Sequence, residues 1–336
     1  LDGTTLSHRL VILEGSSSSS DGITASDTSI PVVDVHKGAI TLKVSKLKLS
    51  GGTVGLEAYR GPTIILKNAL IENNTRQGVA LWMGTNGKIE SSTIQNNGTH
   101  GIIVGYSSSI NITANTISGH SNDSSILIYA SSGAYIVRNT ITGGKHSGIA
   151  VSGGSFARIG GDPESGVSQG NTIQSANDGI LVKDSGHAIL KYNTINNNSE
   201  KGLVVENNGS VVLAEGNTFS SNNVGIYLGF GGGLNMKCDE QLTSATTISG
   251  NTGGAIFIEK GGIANLCNLT LNVSTNGIGV YNNSTLNISN SSLTSSSGRV
   301  IYSRGGAAID IDNTTITGNS SKEAVKLNDG SNFEIS

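Results

Sequence analysis

"GIIVGYSSSINITANTISGHSND", running from Gly101 to Asp123, is the stretch that determines the fold. Its apolar residues alternate with polar ones at Ile102 and Val104, at Ile110 and Ile112, and at Ile117. A period of two predicts β-strand, because successive side chains of a strand point to opposite faces. The stretch therefore predicts three short strands joined by tight turns, with no helix.

The same pattern recurs along the chain and defines a repeat. A small residue begins the unit at Gly55, Gly78, Gly101, Ser125, Gly148, Gly179, Gly202, Gly225, Ala255 and Gly277. Two less regular units begin near Arg299 and Ala324. Most intervals are 22 to 24 residues, a period typical of solenoid proteins.

Units of this length predict an all-β fold, a right-handed parallel β-helix solenoid of about 12–14 coils with three short strands per coil. Each strand then pairs in parallel with its counterpart in the next coil, about 4.8 Å away. Parallel crossover connections are right-handed in nearly all proteins, which fixes the hand. Inward Ile, Val and Leu side chains form the core, and outward positions stay polar.

Asparagine recurs at one turn of the repeat, where stacked side chains can hydrogen-bond along a column. It lies at Asn115, Asn139, Asn193 and Asn313, and at Asn171 and Asn217 once insertions are allowed. The unit resembles the parallel β-helix repeat family of the pectin-lyase-like superfamily, whose repeats read like "GIxVxxSSxxxIxxNTI". The resemblance extends from Leu10 onward. It implies the fold and says little about activity, because this fold hosts many functions.

The even spacing predicts a single β-helix domain over residues 1–336. Two longer coils predict loop insertions near 153–170 and 237–247. The chain opens on Leu1 without a Met and ends inside the strand pattern "SNFEIS", so we expect a piece of a longer protein without its end caps. Uncapped solenoid ends expose strand edges, so we also expect end-to-end self-association.

Composition argues against several classes of function. Charged residues make up 13% of the chain and the net charge is −3 with both signs dispersed, so no nucleic-acid partner is expected. No apolar run reaches the roughly 20 residues of a transmembrane helix, so no membrane span is expected. The β-helix pattern indicates a secreted or cell-surface protein. Cys238 and Cys267 fall near the same point of consecutive coils and are either a disulfide or two buried thiols.

Asp34 and Glu57 are the candidate catalytic pair, with Arg60 and His36 as further candidate catalytic residues. Polysaccharide-active members of the superfamily use the outer face of the first strand of the repeat. Extending the register upstream places on that face Ile12 and Glu14, then Asp34 and His36, then Glu57 and Tyr59, then Ala80 and Trp82. Asp34 and Glu57 then stack in adjacent coils, with His36 in the next row and Arg60 beside them. Such a pair suits acid–base catalysis or a Ca²⁺ site; the alternative is a polar face whose like charges are offset by Arg60 and His36.

Aromatic residues indicate a second kind of site. The chain has only fourteen Phe, Trp and Tyr. The candidate sugar-binding rings on or beside the first strand are Tyr59, Trp82, Tyr106, Tyr129, Tyr227, Phe257, Tyr281 and Tyr302. An exposed row of flat rings is suited to stacking on sugars, although aromatic residues also favour strands in general. A further polar patch contains Lys183, Asp184, Glu206 and Glu259, in which Lys183 and Glu206 are expected to form a surface ion pair.

Two hypotheses follow. In the first, the protein binds an extracellular acidic polysaccharide and cleaves or epimerises it, with no cofactor or with Ca²⁺ in a lyase-like reaction. In the second, it is a non-catalytic structural or adhesive surface module. The N-T-D, D-D, G-H-G and R-I-K motifs of polygalacturonase-like enzymes are absent, and "GGDPESG" around Asp162 only partly matches the D-P-H-D signature of uronate epimerases. Binding is therefore favoured over catalysis.

Overall fold

The structure is a computed structural model that describes residues 9–161, 169–238 and 245–336. Every regular element in these ranges is a β-strand, so no helix there could span a membrane. The chain divides into two compact units. Unit 1 comprises residues 1–160 and 170–172, and unit 2 comprises residues 161–169 and 173–336.

Unit 1 is a stack of parallel strands in which every third strand belongs to the same sheet. Its strands are β1 (Arg9–Glu14), β2 (Gly22–Thr24), β3 (Val33–His36), β4 (Ile40–Ser45), β5 (Lys48–Ser50), β6 (Val54–Tyr59), β7 (Thr63–Lys67), β8 (Leu70–Glu72), β9 (Gln77–Trp82), β10 (Asn86–Glu90), β11 (Thr93–Gln95), β12 (Ile102–Gly105), β13 (Ser109–Thr113), β14 (Thr116–Ser118), β15 (Ile126–Ile128), β16 (Gly133–Val137), β17 (Thr140–Thr142), β18 (Ser147–Val151) and β19 (Phe156–Ile159). We call the sheets that begin with β1, β2 and β3 sheet 1, sheet 2 and sheet 3. Sheet 3 contains the first strand of the sequence repeat.

Unit 2 repeats this arrangement after β20 (Thr172–Gln174), which spans the boundary between the units. Its strands are β21 (Asp178–Val182), β22 (His187–Leu190), β23 (Thr194–Asn196), β24 (Lys201–Val205), β25 (Ser210–Leu213), β26 (Thr218–Ser220), β27 (Val224–Leu228), β28 (Gly233–Met236), β29 (Thr247–Ser249), β30 (Gly254–Ile258), β31 (Ile263–Cys267), β32 (Thr270–Val273), β33 (Ile278–Tyr281), β34 (Thr285–Ser289), β35 (Ser292–Ser295), β36 (Ile301–Arg304), β37 (Ala308–Asp312), β38 (Thr315–Thr317), β39 (Val325–Leu327) and β40 (Asn332–Ile335). Among the described residues, sheet 3 has six strands in unit 1 and seven in unit 2, which agrees with the predicted number of coils.

The core of each unit consists of identical apolar positions stacked from coil to coil. Ile94, Ile117 and Ile141 pair in register on sheet 2, and none of the three is exposed to solvent. Burying one such side chain contributes about 1.5–3 kcal/mol. The parallel pairing and the inward apolar ladders confirm the predicted all-β solenoid.

Buried asparagines hydrogen-bond from coil to coil, as predicted. Asn115 Nδ2 donates to Asn139 Oδ1 at 3.0 Å, and Asn139 Nδ2 donates to Asn171 Oδ1 at 3.0 Å. The placement of Asn313 in this ladder is wrong. Asn313 is exposed with φ 39° and donates instead to Asn290, because the final coils place asparagine one residue earlier in the turn.

A second asparagine ladder, which the repeat alignment missed, occupies another corner of the coil. Asn74 Nδ2 donates to Asn97 Oδ1 at 2.9 Å in unit 1. Asn198 and Asn222 make the same contact in unit 2, also at 2.9 Å. The recurring Asn-Asn dipeptide was the sequence signal for this ladder.

The predicted insertions lie partly outside the described residues. Strand β19 falls within the expected 153–170 loop yet pairs in register with β16, so the regular coil continues to Ile159. Residues 162–168 and 239–244 are not described. Cys238 and Cys267 are joined by a disulfide bond, with their Cα atoms 5.7 Å apart.

Candidate functional site

The outer face of sheet 3 in unit 1 carries two rows of side chains in register. Asp34 lies opposite Glu57, and His36 lies opposite Tyr59. Tyr59 in turn lies opposite Trp82, which lies opposite Gly105. Alternation along each strand points these residues outward while Leu56 and Ala58 are fully buried.

Five rings form a continuous series on this face, which we call the aromatic row of unit 1. Its members are His36, Tyr59, Trp82, Tyr106 and Tyr129. His36 stacks on Tyr59 with ring centroids 5.1 Å apart and an interplanar angle of 16°. The Tyr59 and Trp82 centroids are 6.2 Å apart, and Trp82 lies 6.1 Å from Tyr106 and 6.0 Å from Tyr129.

Tyr106 reaches the row from a turn rather than from a strand. Gly105 occupies the position opposite Trp82, and Tyr106 follows it with φ 55° and 51% of its surface exposed. A Cβ atom on Gly105 would lie 2.6 Å from Tyr129 Cε1 and 3.0 Å from Trp82 Cζ3. The absence of a side chain at Gly105 therefore allows two rings to lie close to the sheet.

Both carboxylates of the predicted catalytic pair interact with side chains of the row through hydrogen bonds or ion pairs. His36 Nε2 lies 2.7 Å from Asp34 Oδ1. Glu57 Oε1 accepts hydrogen bonds from the Tyr59 hydroxyl at 3.0 Å and from Trp82 Nε1 at 3.1 Å. Burial, with the adjacent Glu57 charge second, raises the pKa of Tyr59 to about 12, so the phenol remains a proton donor at neutral pH.

Two parts of the predicted arrangement differ in the structure. Arg60 is exposed at φ 64°, and its guanidinium makes no ion pair or hydrogen bond with a described residue, so it does not offset the carboxylates. Ile12 and Glu14 lie opposite Lys43 and Ser45 on sheet 1 rather than on the outer face of sheet 3. The period holds for one coil upstream, from Glu57 to Asp34, and fails in the coil before it, which is longer and contributes β1 to sheet 1.

The Ca²⁺ site on Asp34 and Glu57 stays a prediction. Calcium takes six to eight oxygen ligands. Within the described part of the chain, no three His, Cys, Asp or Glu side chains converge on one point.

The outer face of sheet 3 in unit 2 carries the remaining predicted rings. Tyr227, Phe257, Gly279 and Tyr302 stand opposite one another in successive strands. The Phe257 and Tyr281 centroids are 6.2 Å apart, and those of Tyr281 and Tyr302 are 5.8 Å apart. The second row of this face contains Lys183, Glu206, Gly229, Glu259, Tyr281 and Arg304.

Charges in unit 2 pair differently from the prediction. Lys183 Nζ lies 3.8 Å from the adjacent Asp184, and the expected ion pair with Glu206 is not found. Asp184 follows Lys183 directly in the chain, so their ion pair forms without fixing side chains of two different coils against each other. Glu259 accepts a hydrogen bond from the Tyr227 hydroxyl at 2.7 Å, and burial followed by this bond raises the pKa of Tyr227.

Sequence reasoning missed the cations over the rings of unit 2. The Arg304 guanidinium carbon lies 5.4 Å from the Tyr281 centroid, and that of Arg299 lies 5.6 Å from the Tyr302 centroid. Lys201 Nζ lies 5.6 Å from the Tyr227 centroid. Arg304 could have been found from its place in the second row of the repeat, whereas Arg299 lies in a turn before β36 and had no periodic signal.

Comparisons with known proteins address the fold. The profile of the family described as "Right handed beta helix region" matches residues 12–162 and 164–240. No curated protein sequence matches the chain significantly. The mannuronan C-5 epimerase AlgE6 A-module of Azotobacter vinelandii aligns with a TM-score of 0.31 at 12% identity, covering 88% of this chain and 65% of the module. The surface protein and adhesin PfbA of Streptococcus pneumoniae aligns with a TM-score of 0.31 at 9% identity, covering 90% of this chain and 91% of PfbA.

Proposed function

Because the chain belongs to the right-handed β-helix family, with its side chains fixed in register by the coil, we propose that it binds an extracellular polysaccharide along the aromatic row of unit 1. The observation that carries the proposal is the unbroken series of rings from His36 to Tyr129, with neighbouring centroids 5.1 to 6.2 Å apart. Binding is the function, and the protein is secreted or displayed at a cell surface. The disulfide between Cys238 and Cys267 supports an oxidising compartment.

Sugar rings and aromatic rings are complementary in shape and polarity. One face of a pyranose is formed by C–H groups, which stack favourably on a flat π-system. The coils repeat about every 4.8 Å, which is close to the length of one sugar unit in an extended chain. A linear glycan lying along the row can therefore contact several rings in succession.

The polar groups of the row are placed to bind sugar hydroxyls. Asp34 and His36 are both exposed, and Glu57 is half-buried beside Tyr59. Glu57 Oε1 accepts hydrogen bonds from the side chains of Tyr59 and Trp82, so this carboxylate orients both rings in the absence of a ligand. A preformed surface loses less conformational entropy on binding.

Catalysis is the second candidate function. Asp34 and Glu57 face one another on adjacent parallel strands, a separation compatible with a pair of acid–base carboxylates. Both groups have hydrogen-bonding roles within the row, and this observation favours binding.

A panel of neutral and acidic polysaccharides, each with and without Ca²⁺, separates these functions. Protein retention and new chain ends are measured in the same samples. We expect retention without cleavage, weakened about two- to tenfold by Trp82→Ala, because stacking of one ring contributes about 0.5–1.5 kcal/mol. Phe156→Ala is the matched control, since Phe156 is 43% exposed on sheet 1, away from the row.

Three other outcomes would contradict the proposal in different ways. New chain ends that disappear in both Asp34→Ala and Glu57→Ala would make the protein an enzyme. Equal loss of retention in the Trp82 and Phe156 variants would remove the row as the site. No retention on any glycan would leave the structural or adhesive module as the function.

A further inference from the structure

We infer that unit 2 holds a separate site for a negatively charged sugar, with a carboxylate or sulfate group bound by arginine. The site is the charged aromatic patch, which we define as Phe257, Tyr281, Tyr302, Arg299 and Arg304. This inference rests on the proposed function, because it assigns a class of sugar to a glycan-binding protein.

The rings of the patch enclose a shallow pocket. Tyr281 folds back over Gly279, where a Cβ atom would lie 2.5 Å from the Tyr281 hydroxyl oxygen and 2.6 Å from Cε2. Phe257 and Tyr302 stand on either side of this ring. Together with Asn276, Ile278 and Arg299 they line a pocket of about 160 Å³. The glycine therefore creates a ring-walled recess on an otherwise flat sheet.

Arginine places positive charge at this recess. The Arg304 guanidinium is exposed over Tyr281 and forms no ion pair with a described residue. Arg299 lies over Tyr302 and is paired with Glu323 at 3.2 Å. Lys326, which follows Tyr302 in the same row, shares Glu323 at 3.8 Å. A second carboxylate, Glu259, lies within electrostatic reach of Arg304 and is paired with Lys260 at 3.2 Å. The patch still has a positive excess, because the carboxylates of Glu323 and Glu259 face Arg299, Arg304, Lys326 and Lys260.

A stacked guanidinium is suited to anion binding. Its planar N–H donors match the oxygens of a carboxylate or sulfate in a two-bond geometry. Stacking on Tyr281 holds the plane of Arg304 before the anion arrives, and the cation–π contact contributes about 0.5–1 kcal/mol at an exposed site. The neighbouring rings are then free to contact the apolar face of the same sugar.

The aromatic row of unit 1 has the opposite electrostatic character. It carries the carboxylates of Asp34 and Glu57, and among the described residues no Arg or Lys lies over one of its rings. We therefore expect the two faces to differ in charge preference. The row favours neutral sugars, and the patch favours acidic ones.

Titration calorimetry of the full chain with short oligosaccharides tests this inference. The probes are oligogalacturonate for carboxylates, heparin-derived oligosaccharide for sulfates and cello-oligosaccharide for neutral sugars. We expect Arg304→Gln to weaken binding of an acidic probe at least tenfold and to leave the neutral probe unchanged. Tyr302→Ala should weaken the same acidic probe, and a tenfold increase in salt should reproduce part of the loss.

Controls separate this inference from the proposed function. Arg158→Gln removes an arginine that lies 5.7 Å from the Tyr135 ring on sheet 1, and it should leave all probes unchanged. Trp82→Ala should weaken only the neutral probe. The patch is overturned if an acidic probe still binds Arg304→Gln, or if its affinity falls equally in Arg158→Gln. The result for Trp82→Ala then still supports the row. Binding of neither acidic probe also overturns the patch, and loss of every probe overturns both proposals.

Discussion

The carboxylate of Glu57 accepts a hydrogen bond from the indole nitrogen of Trp82 in the next coil, at 3.1 Å. The same oxygen atom accepts from Tyr59 at 3.0 Å. One half-buried acid therefore orients two rings that belong to different strands. This contact makes Glu57 a positioning residue for the aromatic row, a role that differs from acid–base catalysis.

Glu57→Ala should remove the hydrogen bond that orients the Trp82 indole. Glu57→Gln should keep it, because the amide oxygen can still accept hydrogen bonds from Tyr59 and Trp82. Trp82 is the only tryptophan of the chain, so its fluorescence reports on the row alone. We expect a red-shifted emission and weaker glycan retention in Glu57→Ala, with near-normal behaviour in Glu57→Gln. If Glu57→Gln were as impaired as Glu57→Ala, a charge-dependent role would replace the positioning role.

Tyr106 is held in a left-handed conformation that disfavours bulky residues. Asparagine tolerates φ 55°, so Tyr106→Asn should recover about 1 kcal/mol of strain and lose about as much from the ring contacts. The free energy of unfolding should then change little, while glycan retention falls.

Tyr129→Asn provides the comparison for Tyr106→Asn, because Tyr129 packs on the outer apolar cluster formed by Val54, Ala80 and Ile103 without positive φ. It should reduce both glycan retention and the urea midpoint. Equal loss of stability in the two variants would argue against strain at Tyr106.

Asp178 should make unit 2 less stable as the pH rises. Burial, opposed mainly by Lys201, raises the pKa of Asp178 from its ordinary value of 3.8 to about 6. A folded-state pKa above the unfolded one contributes stability that is complete below pH 3.8 and is lost as the pH rises through 6. Asp178→Asn should therefore stabilise the protein by about 1–3 kcal/mol at pH 7.5 and have little effect below pH 4.

Urea unfolding of wild type and Asp178→Asn at several pH values measures this difference directly. The asparagine can keep the hydrogen bond from the Lys201 backbone N–H, which is 3.1 Å long in the wild type. The contributions of the other carboxylates cancel in the difference between the two unfolding free energies. A constant difference between pH 4 and pH 7.5 would contradict the assigned pKa.

Removal of the disulfide should lower stability without affecting the aromatic row. The bridge closes a loop with a sequence separation of 29 residues, and such cross-links contribute about 2–4 kcal/mol. Chemical unfolding of the Cys238→Ser/Cys267→Ser double variant should show this loss. Reduction of the wild-type protein should give the same shift, and neutral glycan retention should remain at the wild-type level.

The sequence was most informative where side chains repeat with a fixed period. Stacked positions such as Ile94 and Ile117 must be alike because each contacts its counterpart, so the coil and its core could be predicted. Asn313 was misplaced, because a turn that gains or loses one residue moves a side chain without changing the apolar pattern. Spacing places Arg304 opposite Tyr281, but the stacking of the guanidinium on the ring depends on side-chain rotamers, which spacing does not specify.

The in-register strands of unit 1 fix the spacing of the strand positions that carry the aromatic row. Backbone hydrogen bonds fix the interval between coils, so the rings cannot move apart to follow a ligand with a different axial repeat. A small mismatch would accumulate with every sugar, and a matching chain would gain affinity with each ring of the row that it covers. Selectivity would then arise from the periodicity of the polymer, and short oligomers would be discriminated poorly even when their sugars are correct.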